Sequence, residues 1–242
     1  MWDVTIEKQV ACKDAVLIEG LPGIGNVGKI AVDYLVEQLE ATKIADFFSS
    51  TLPNSVFVTE NNLIQLPTIE LYHVSVQGKD FLLLTGDTQP SDERASYALT
   101  RKILEVAKQH KVKHIITTGG IGLEEVPQEP KLYTTGNNKK FVKSFAADNA
   151  IHGVVGPIVG VSGLLLGLAD VPAATLLVET YAHPMYVGLI EAKTILQELT
   201  RKYELKISYE DLDAEIHEET EDEPKKKFGK PAAFQKDMHY IG

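Results

Sequence analysis

The stretch Gly20-Leu21-Pro22-Gly23-Ile24-Gly25-Asn26-Val27-Gly28-Lys29 constrains this chain more than any other. It follows an apolar run, Ala15-Val16-Leu17-Ile18, that reads as a buried strand. It precedes Ile30, Ala31, Tyr34, Leu35 and Leu39, which recur at helical spacing. Gly23, Gly25 and Gly28 therefore sit at a strand-to-helix turn. An α/β fold uses glycines there for a tight turn, for close backbone approach and for packing the helix on the sheet. The free N–H groups at the helix start also suit an anion.

Two nucleotide-binding patterns overlap on these residues, and each has a gap. Gly23-x-Gly25-x-x-Gly28 matches the dinucleotide fingerprint, and Gly23-x-x-x-x-Gly28-Lys29 matches most of a P-loop. A P-loop needs Ser or Thr after the lysine to hold Mg²⁺, and Ile30 stands there. A dinucleotide site needs an acid about 20 residues further on, at the end of the second strand. Asp46 lies near that distance, but Phe47 and Phe48 carry the strand past it. The residues favour an architectural turn at Gly23, Gly25 and Gly28, with no cofactor. The alternative is a nucleotide- or nucleoside-dependent enzyme, ligase- or phosphorylase-like, that uses the Gly23–Lys29 turn for phosphate.

The wording around the turn is more specific than either pattern. Ile18-Glu19-Gly20-Leu21-Pro22-Gly23-Ile24-Gly25-Asn26-Val27-Gly28-Lys29 resembles the opening of the proteasome assembly chaperone 2 family in its archaeal form. Leu84-Thr85-Gly86-Asp87-Thr88-Gln89-Pro90, Ile115-Ile116-Thr117-Thr118-Gly119-Gly120-Ile121-Gly122 and Gly160-Val161-Ser162-Gly163-Leu164-Leu165 fit the same family. The resemblance implies an α/β/α sandwich with a mixed, mostly parallel sheet, similar to the nucleoside phosphorylase fold without its catalytic set. It implies a cytoplasmic, non-enzymatic proteasome assembly chaperone or activator homologue. Such a protein would be a homo-oligomeric scaffold that touches 20S proteasome α subunits through C-terminal tails. The ending Met238-His239-Tyr240-Ile241-Gly242 is similar to the hydrophobic–tyrosine–any-residue tail of proteasome activators. It departs from that pattern in that Tyr240 is third from the end. The resemblance assigns partner binding to Met238, Tyr240, Ile241 and Gly242.

A chain of 242 residues, 44% hydrophobic, fits one α/β domain with an appendage. The net charge of −10 is unevenly placed. Residues 204–223 carry ten acids against Lys206, and residues 224–242 carry five lysines against Asp237. These shifts divide the chain into an α/β scaffold domain, 1–203, and an acidic helical or linker segment with a lysine-rich tail, 204–242. No basic face invites nucleic acid. The one cysteine, Cys12, cannot form an intramolecular disulfide, which fits a reducing compartment. No charged leader followed by an apolar stretch opens the chain. Ala150–Ala169 is twenty residues without a formal charge, with Gly153, Gly156, Gly160, Gly163 and Gly167 spaced for one helical face. Pro157 and the five glycines favour a buried strand or loop leading into a helix over a membrane span.

Apolar runs alternate with helical periodicity along the rest of the chain, the α/β pattern. Strands are expected at Ala45–Phe48, Val56–Val58, Leu63–Leu66, Ile69–Val76, Phe81–Thr85, His114–Thr118 and Ala174–Glu179. Gln77-Gly78-Lys79-Asp80 reads as a hairpin turn. Ser91 or Asp92 caps a helix running through His110. Glu124–Asn138 reads as a loop, Phe141–Asn149 as a short helix, and Pro184 as the opening of an amphipathic helix. Tyr209–Thr220 is a candidate for another helix. No H-E-x-x-H or paired C-x-x-C pattern marks a metal site, and Ser162 lacks the G-x-S-x-G setting of a nucleophile. No catalytic residue is assigned. Asp87, Thr118, Glu179 and His183 are expected at strand ends, where they could line a pocket beside the glycine turn.

Overall fold

Apolar runs too continuous for a half-exposed strand belong at the middle of a sheet covered on both faces. The computed structural model, which describes residues 2–58, 61–146, 149–150 and 156–222, places them there. The strands are β1 (Asp3–Ile6), β2 (Ala15–Gly20), β3 (Thr42–Phe48), β4 (Phe57–Val58), β5 (Ile64–Gln65), β6 (Ile69–Val76), β7 (Lys79–Gly86), β8 (Val112–Leu123), β9 (Leu132–Gly136), β10 (Asn149–Ala150) and β11 (Ala173–Tyr181). Nine of them form one sheet in the order β1-β3-β6-β7-β2-β8-β11-β9-β10, and β4-β5 is a separate ribbon. The sheet is mixed. Its centre, β7-β2-β8-β11, is parallel, and antiparallel pairs flank it on both sides. Every residue of β2 is buried.

The helices are α1 (Val27–Gln38), α2 (Glu93–Gln109), α3 (Lys139–Val142), α4 (Val161–Leu168), α5 (Leu189–Tyr203) and α6 (Glu210–Asp222). α1 packs on α5, and α2 on α4. The two pairs cover opposite faces. Glu19 of β2 reaches Ser162 of α4, whereas its neighbour Gly20 lies against Gly28 of α1, and successive strand residues point to opposite sides. The result is an α/β/α sandwich. Two units divide the chain, Met1–Ile207 and Ser208–Gly242; the sandwich is the first, and α6 makes up most of the described part of the second.

Local chemistry explains most boundaries. β6 turns into β7 through Gln77 (φ 52°) and Gly78 (φ 77°), with Val76 paired to Lys79. Two successive positive φ values make this a type I′ turn, whose twist matches a hairpin. Asp92 caps α2 by accepting the Ala95 N–H at 3.0 Å.

β3, β7 and β11 run two or three residues beyond the expected bounds, and four departures are larger. β8 continues through Gly119-Gly120-Ile121-Gly122 to Leu123 instead of ending at Thr118. The expected loop 124–138 contains β9. α5 starts at Leu189, five residues after Pro184. The helix expected over Phe141–Asn149 is α3, which runs from Lys139 to Val142. β1 has no counterpart in the sequence reading. Among the described residues, no helix is long and apolar enough to cross a membrane.

Candidate functional site

The C-terminal ends of β7, β2, β8 and β11 share one edge of the sheet, where open α/β folds take ligands. The glycine turn lies there. After β2 the chain passes Leu21-Pro22-Gly23, makes a single 3₁₀ turn over Ile24–Asn26, and enters α1. Gly25 is left-handed at φ 63°, and a Cβ on it would meet Thr180 Oγ1 at 2.7 Å. A Cβ on Gly28 would collide with the Thr118 carbonyl of β8, and one on Gly20 with the Gly28 carbonyl. These glycines let α1 lie against the backbone of β2 and β8. Gly23 differs: its φ of −152° is ordinary extended backbone, and nothing lies within 4 Å of a Cβ placed on it. The Gly188 N–H donates to the Gly25 carbonyl at 2.8 Å, tying the segment before α5 to the turn.

Lys29, the lysine of the partial P-loop, is engaged by acids. Its Nζ is 2.7 Å from Asp33 Oδ2 and 4.0 Å from Asp87 Oδ1. Asp33 also accepts the Thr85 hydroxyl at 2.5 Å, and Asp87 accepts both the N–H and the hydroxyl of Thr68 at 3.0 Å. Two carboxylates against one ammonium leave this corner negative, the wrong sign for a phosphate.

Two buried acids flank the turn on opposite faces of the sheet. Glu19 is fully buried. Its Oε1 accepts the Leu21 N–H and the Ser162 hydroxyl, each at 3.1 Å. Its buried Oε2 has no hydrogen-bond partner among the described residues. Burial pushes its pKa up to about 7, against the pull of those two hydrogen bonds. Glu191 of α5 is also fully buried and accepts the Tyr186 hydroxyl at 3.0 Å. Burial raises its pKa as well. Sequence reasoning singled out neither acid as a site residue; for Glu19 the available signal was a carboxylate directly after Val16-Leu17-Ile18 in a strand buried on both faces.

The four residues expected around a pocket have separate partners. Thr118 is buried within β8, five residues before its end, and donates to the Glu19 carbonyl at 2.8 Å. Glu179 accepts the Tyr133 hydroxyl at 2.7 Å and the Lys131 N–H at 3.2 Å. Asp87 is held by Thr68, as above, and His183 Nδ1 accepts the Met185 N–H at 3.2 Å. Ser162 bonds to a buried acid and has no imidazole in that contact. Met238, Tyr240, Ile241 and Gly242 lie outside the described residues.

Among the described residues, one cluster has metal-ligand chemistry. Cys12, His73 and Asp80, from three separate segments, bring ligand atoms within 4.8 Å of one another, an arrangement that motif spacing cannot reveal. His73 Nε2 and Asp80 Oδ1 are 3.0 Å apart, and Asp80 Oδ2 accepts the Lys13 N–H at 2.8 Å. Burial, aided by the Asp80 charge, pushes the Cys12 thiol up to about 11. That favours a protonated packing group over the thiolate a metal requires.

The fold is a parallel-centred α/β/α sandwich in which Gly20, Gly25 and Gly28 leave no room for a Cβ at the turn into α1. Residues 17–224 match the model of the PAC2 family, and the chain belongs to that family as an archaeal-type member. It is similar over 95% of its length, at 29% identity over 245 residues, to the uncharacterized protein MJ1210 of Methanocaldococcus jannaschii, 93% of which is covered. The crystal structure of Pyrococcus furiosus PbaB, an archaeal proteasome activator, superposes with a TM-score of 0.83 at 28% identity, covering 91% of this chain and 96% of that one. The fold is shared with Pyrococcus furiosus PbaA, an archaeal homologue of proteasome-assembly chaperone, at a TM-score of 0.72 and 22% identity, with 91% and 94% of the two chains covered.

Proposed function

We propose that this chain is a non-enzymatic proteasome assembly chaperone or activator homologue: a cytoplasmic, homo-oligomeric scaffold that contacts 20S α subunits through its C-terminal tails. The observation that carries the reading is its near full-length similarity to PbaB, itself an archaeal proteasome activator. The state of the glycine turn supports it. Lys29 is paired to Asp33, and Gly25 and Gly28 are filled by neighbouring structure, so the features that suggested nucleotide chemistry serve packing. In this reading the body, 1–203, is the scaffold, and 204–242 is spacer and tail. Met238, Tyr240 and Ile241 supply apolar contacts to an α-ring pocket, and the Gly242 carboxylate pairs with a lysine there. Several tails on one oligomer raise effective concentration, so each can bind weakly.

Native mass spectrometry of the full chain with and without 20S α subunits tests the partner. Deleting Tyr240–Gly242 should abolish the complex and leave fold and subunit number unchanged. A truncated chain that binds as tightly as the full one would move the contact from the tail to the body.

A further inference from the structure

Other exposed apolar side chains, such as Val159, Met185 and Ile190, are spread along the chain, whereas the β4-β5 ribbon gathers six of them in one short stretch. Val58 and Ile64 are direct cross-strand partners. Two-residue alternation puts Val56 and Leu66 on their face, and Phe57 and Leu63 on the other. All six are exposed, from 46% at Phe57 to 67% at Ile64. Neither face of the ribbon is thus packed away, and an isolated two-stranded ribbon is marginal by itself in water. At its base lies a hollow of about 300 Å³ whose walls include Phe48, Leu52, Pro53, Val56, Leu66 and Pro67. One region therefore carries both an apolar projection and an apolar recess.

We infer that this arm is a self-association surface, its occupant a second copy of this chain, with the arm of one copy entering the hollow of the next. The inference rests on the oligomeric part of the proposed function and names the surface responsible. Two observations select a second copy. The first is charge. Residues 47–69 carry a single formal charge, Glu60, in a chain of net charge −10. Like-charged copies meet with least repulsion where charge is sparse, and Glu60 is the one ionic group this segment could offer a charged partner. The second is area. Six side chains exposing on the order of 100 Å² each give roughly 600 Å² per copy. With the hollow added, this approaches the ~800 Å² per partner of a stable interface. It also reaches the top of the range for the largest apolar patch on an ordinary monomer.

The test uses the full chain at micromolar concentration, with light scattering and native mass spectrometry. Wild type should be oligomeric. Val58→Asp combined with Ile64→Glu should raise the subunit dissociation constant by about 100-fold or more and shift the mass toward the 26.6 kDa monomer, with an unchanged circular dichroism melt. As a second readout, Val58→Cys chains mixed with Leu52→Cys chains should give a disulfide-linked heterodimer under mild oxidation. A double-charge variant with the wild-type mass overturns the inference and leaves the proteasome reading intact. A monomeric wild type overturns this inference and the oligomeric scaffold together. A variant that keeps its mass but loses capture by α subunits overturns it in favour of a heterologous partner on the arm. Loss of mass with capture retained at high concentration supports it.

Discussion

β3 runs in the same direction as β7, so the turn after β2 and the arm after β3 leave the same edge of one sheet, yet they solve opposite problems. At the glycine turn, backbone approaches backbone until there is no room for a Cβ on Gly28, and the nearby side chains are drawn into short internal contacts. At the arm, six large apolar side chains face outward. The first region is closed by folding over most of its length, with Ile24 as its exposed apolar side chain. The second holds apolar surface that folding alone leaves in water. A glycine-rich pattern beside a strand thus announces tight packing before it announces a ligand, whereas the region with unmet physical demand carries no motif.

The largest effect should come from breaking the closed side. Gly28→Val drives a branched side chain into the Thr118 carbonyl of a central strand. It should cost about 4 kcal/mol or prevent folding. Gly23→Ala, five residues earlier in the same motif, meets open space at an extended φ and should change stability by less than about 0.5 kcal/mol. Urea unfolding of the pair separates a packing motif from a ligand motif. Equal losses at both positions would mean that Gly23 is held by something other than the packing seen here.

The next effect is set by pH. Glu19 has its folded pKa raised from 4.5 to about 7 by burial. Between those values the native state holds a proton that the unfolded chain releases, so stability falls as pH rises through that window and levels off above it. The full cost is on the order of 3 kcal/mol. Glu19→Gln keeps an acceptor for Leu21 and Ser162 and removes the titration. The variant should gain on wild type at pH 8 and match it near pH 4.5, with a flatter stability slope between. Parallel slopes for the two proteins in urea melts at several pH values would show that Glu19 does not carry this titration.

The sequence displayed the closed side better than the open one, for physical reasons. β2 and the turn were legible because Ala15-Val16-Leu17-Ile18 is continuous and the glycines follow at once. The hairpin at Gln77-Gly78 and the Asp92 cap were legible because each rests on local chemistry alone. The extension of β8 was not. Gly119-Gly120 reads as a strand end, but a Cβ on Gly120 would come within 2.6 Å of the Ile24 carbonyl. Gly120 makes room for the turn crossing above, and that demand comes from another segment. β9 was hidden because Leu132–Gly136 sits among Pro, Gln and Asn and gains its order by pairing with β11. β1 is a short edge strand with one paired side. Val56–Val58 and Leu63–Leu66 were read as strands, but nothing local shows that both faces of their ribbon stay exposed. At the candidate site, the glycines were found by pattern. Glu19 and Glu191 were not, because burial of an acid is a property of the assembled layers.

The smallest expected effect bears most directly on the nucleotide alternative. In a working P-loop the lysine reaches phosphate oxygens, so removing it destroys affinity while the fold persists. Here Lys29 Nζ sits 2.7 Å from Asp33, with side chains 28% and 40% exposed, and a second acid, Asp87, stands at 4.0 Å. An i,i+4 pair at that exposure contributes about 0.5 kcal/mol or less. Lys29→Ala should therefore lower the melting temperature by a degree or two at most. The loss should fall further in high salt, where the pair is screened. ATP and NAD at millimolar concentration should shift neither protein, because a phosphate entering this corner would meet two carboxylates whose only ammonium is already engaged. A thermal shift with ATP that vanishes in Lys29→Ala would reverse the comparison between the two regions. The glycine turn would then be the functional surface, and the charge balance drawn around Lys29 would have to give way when the ligand binds.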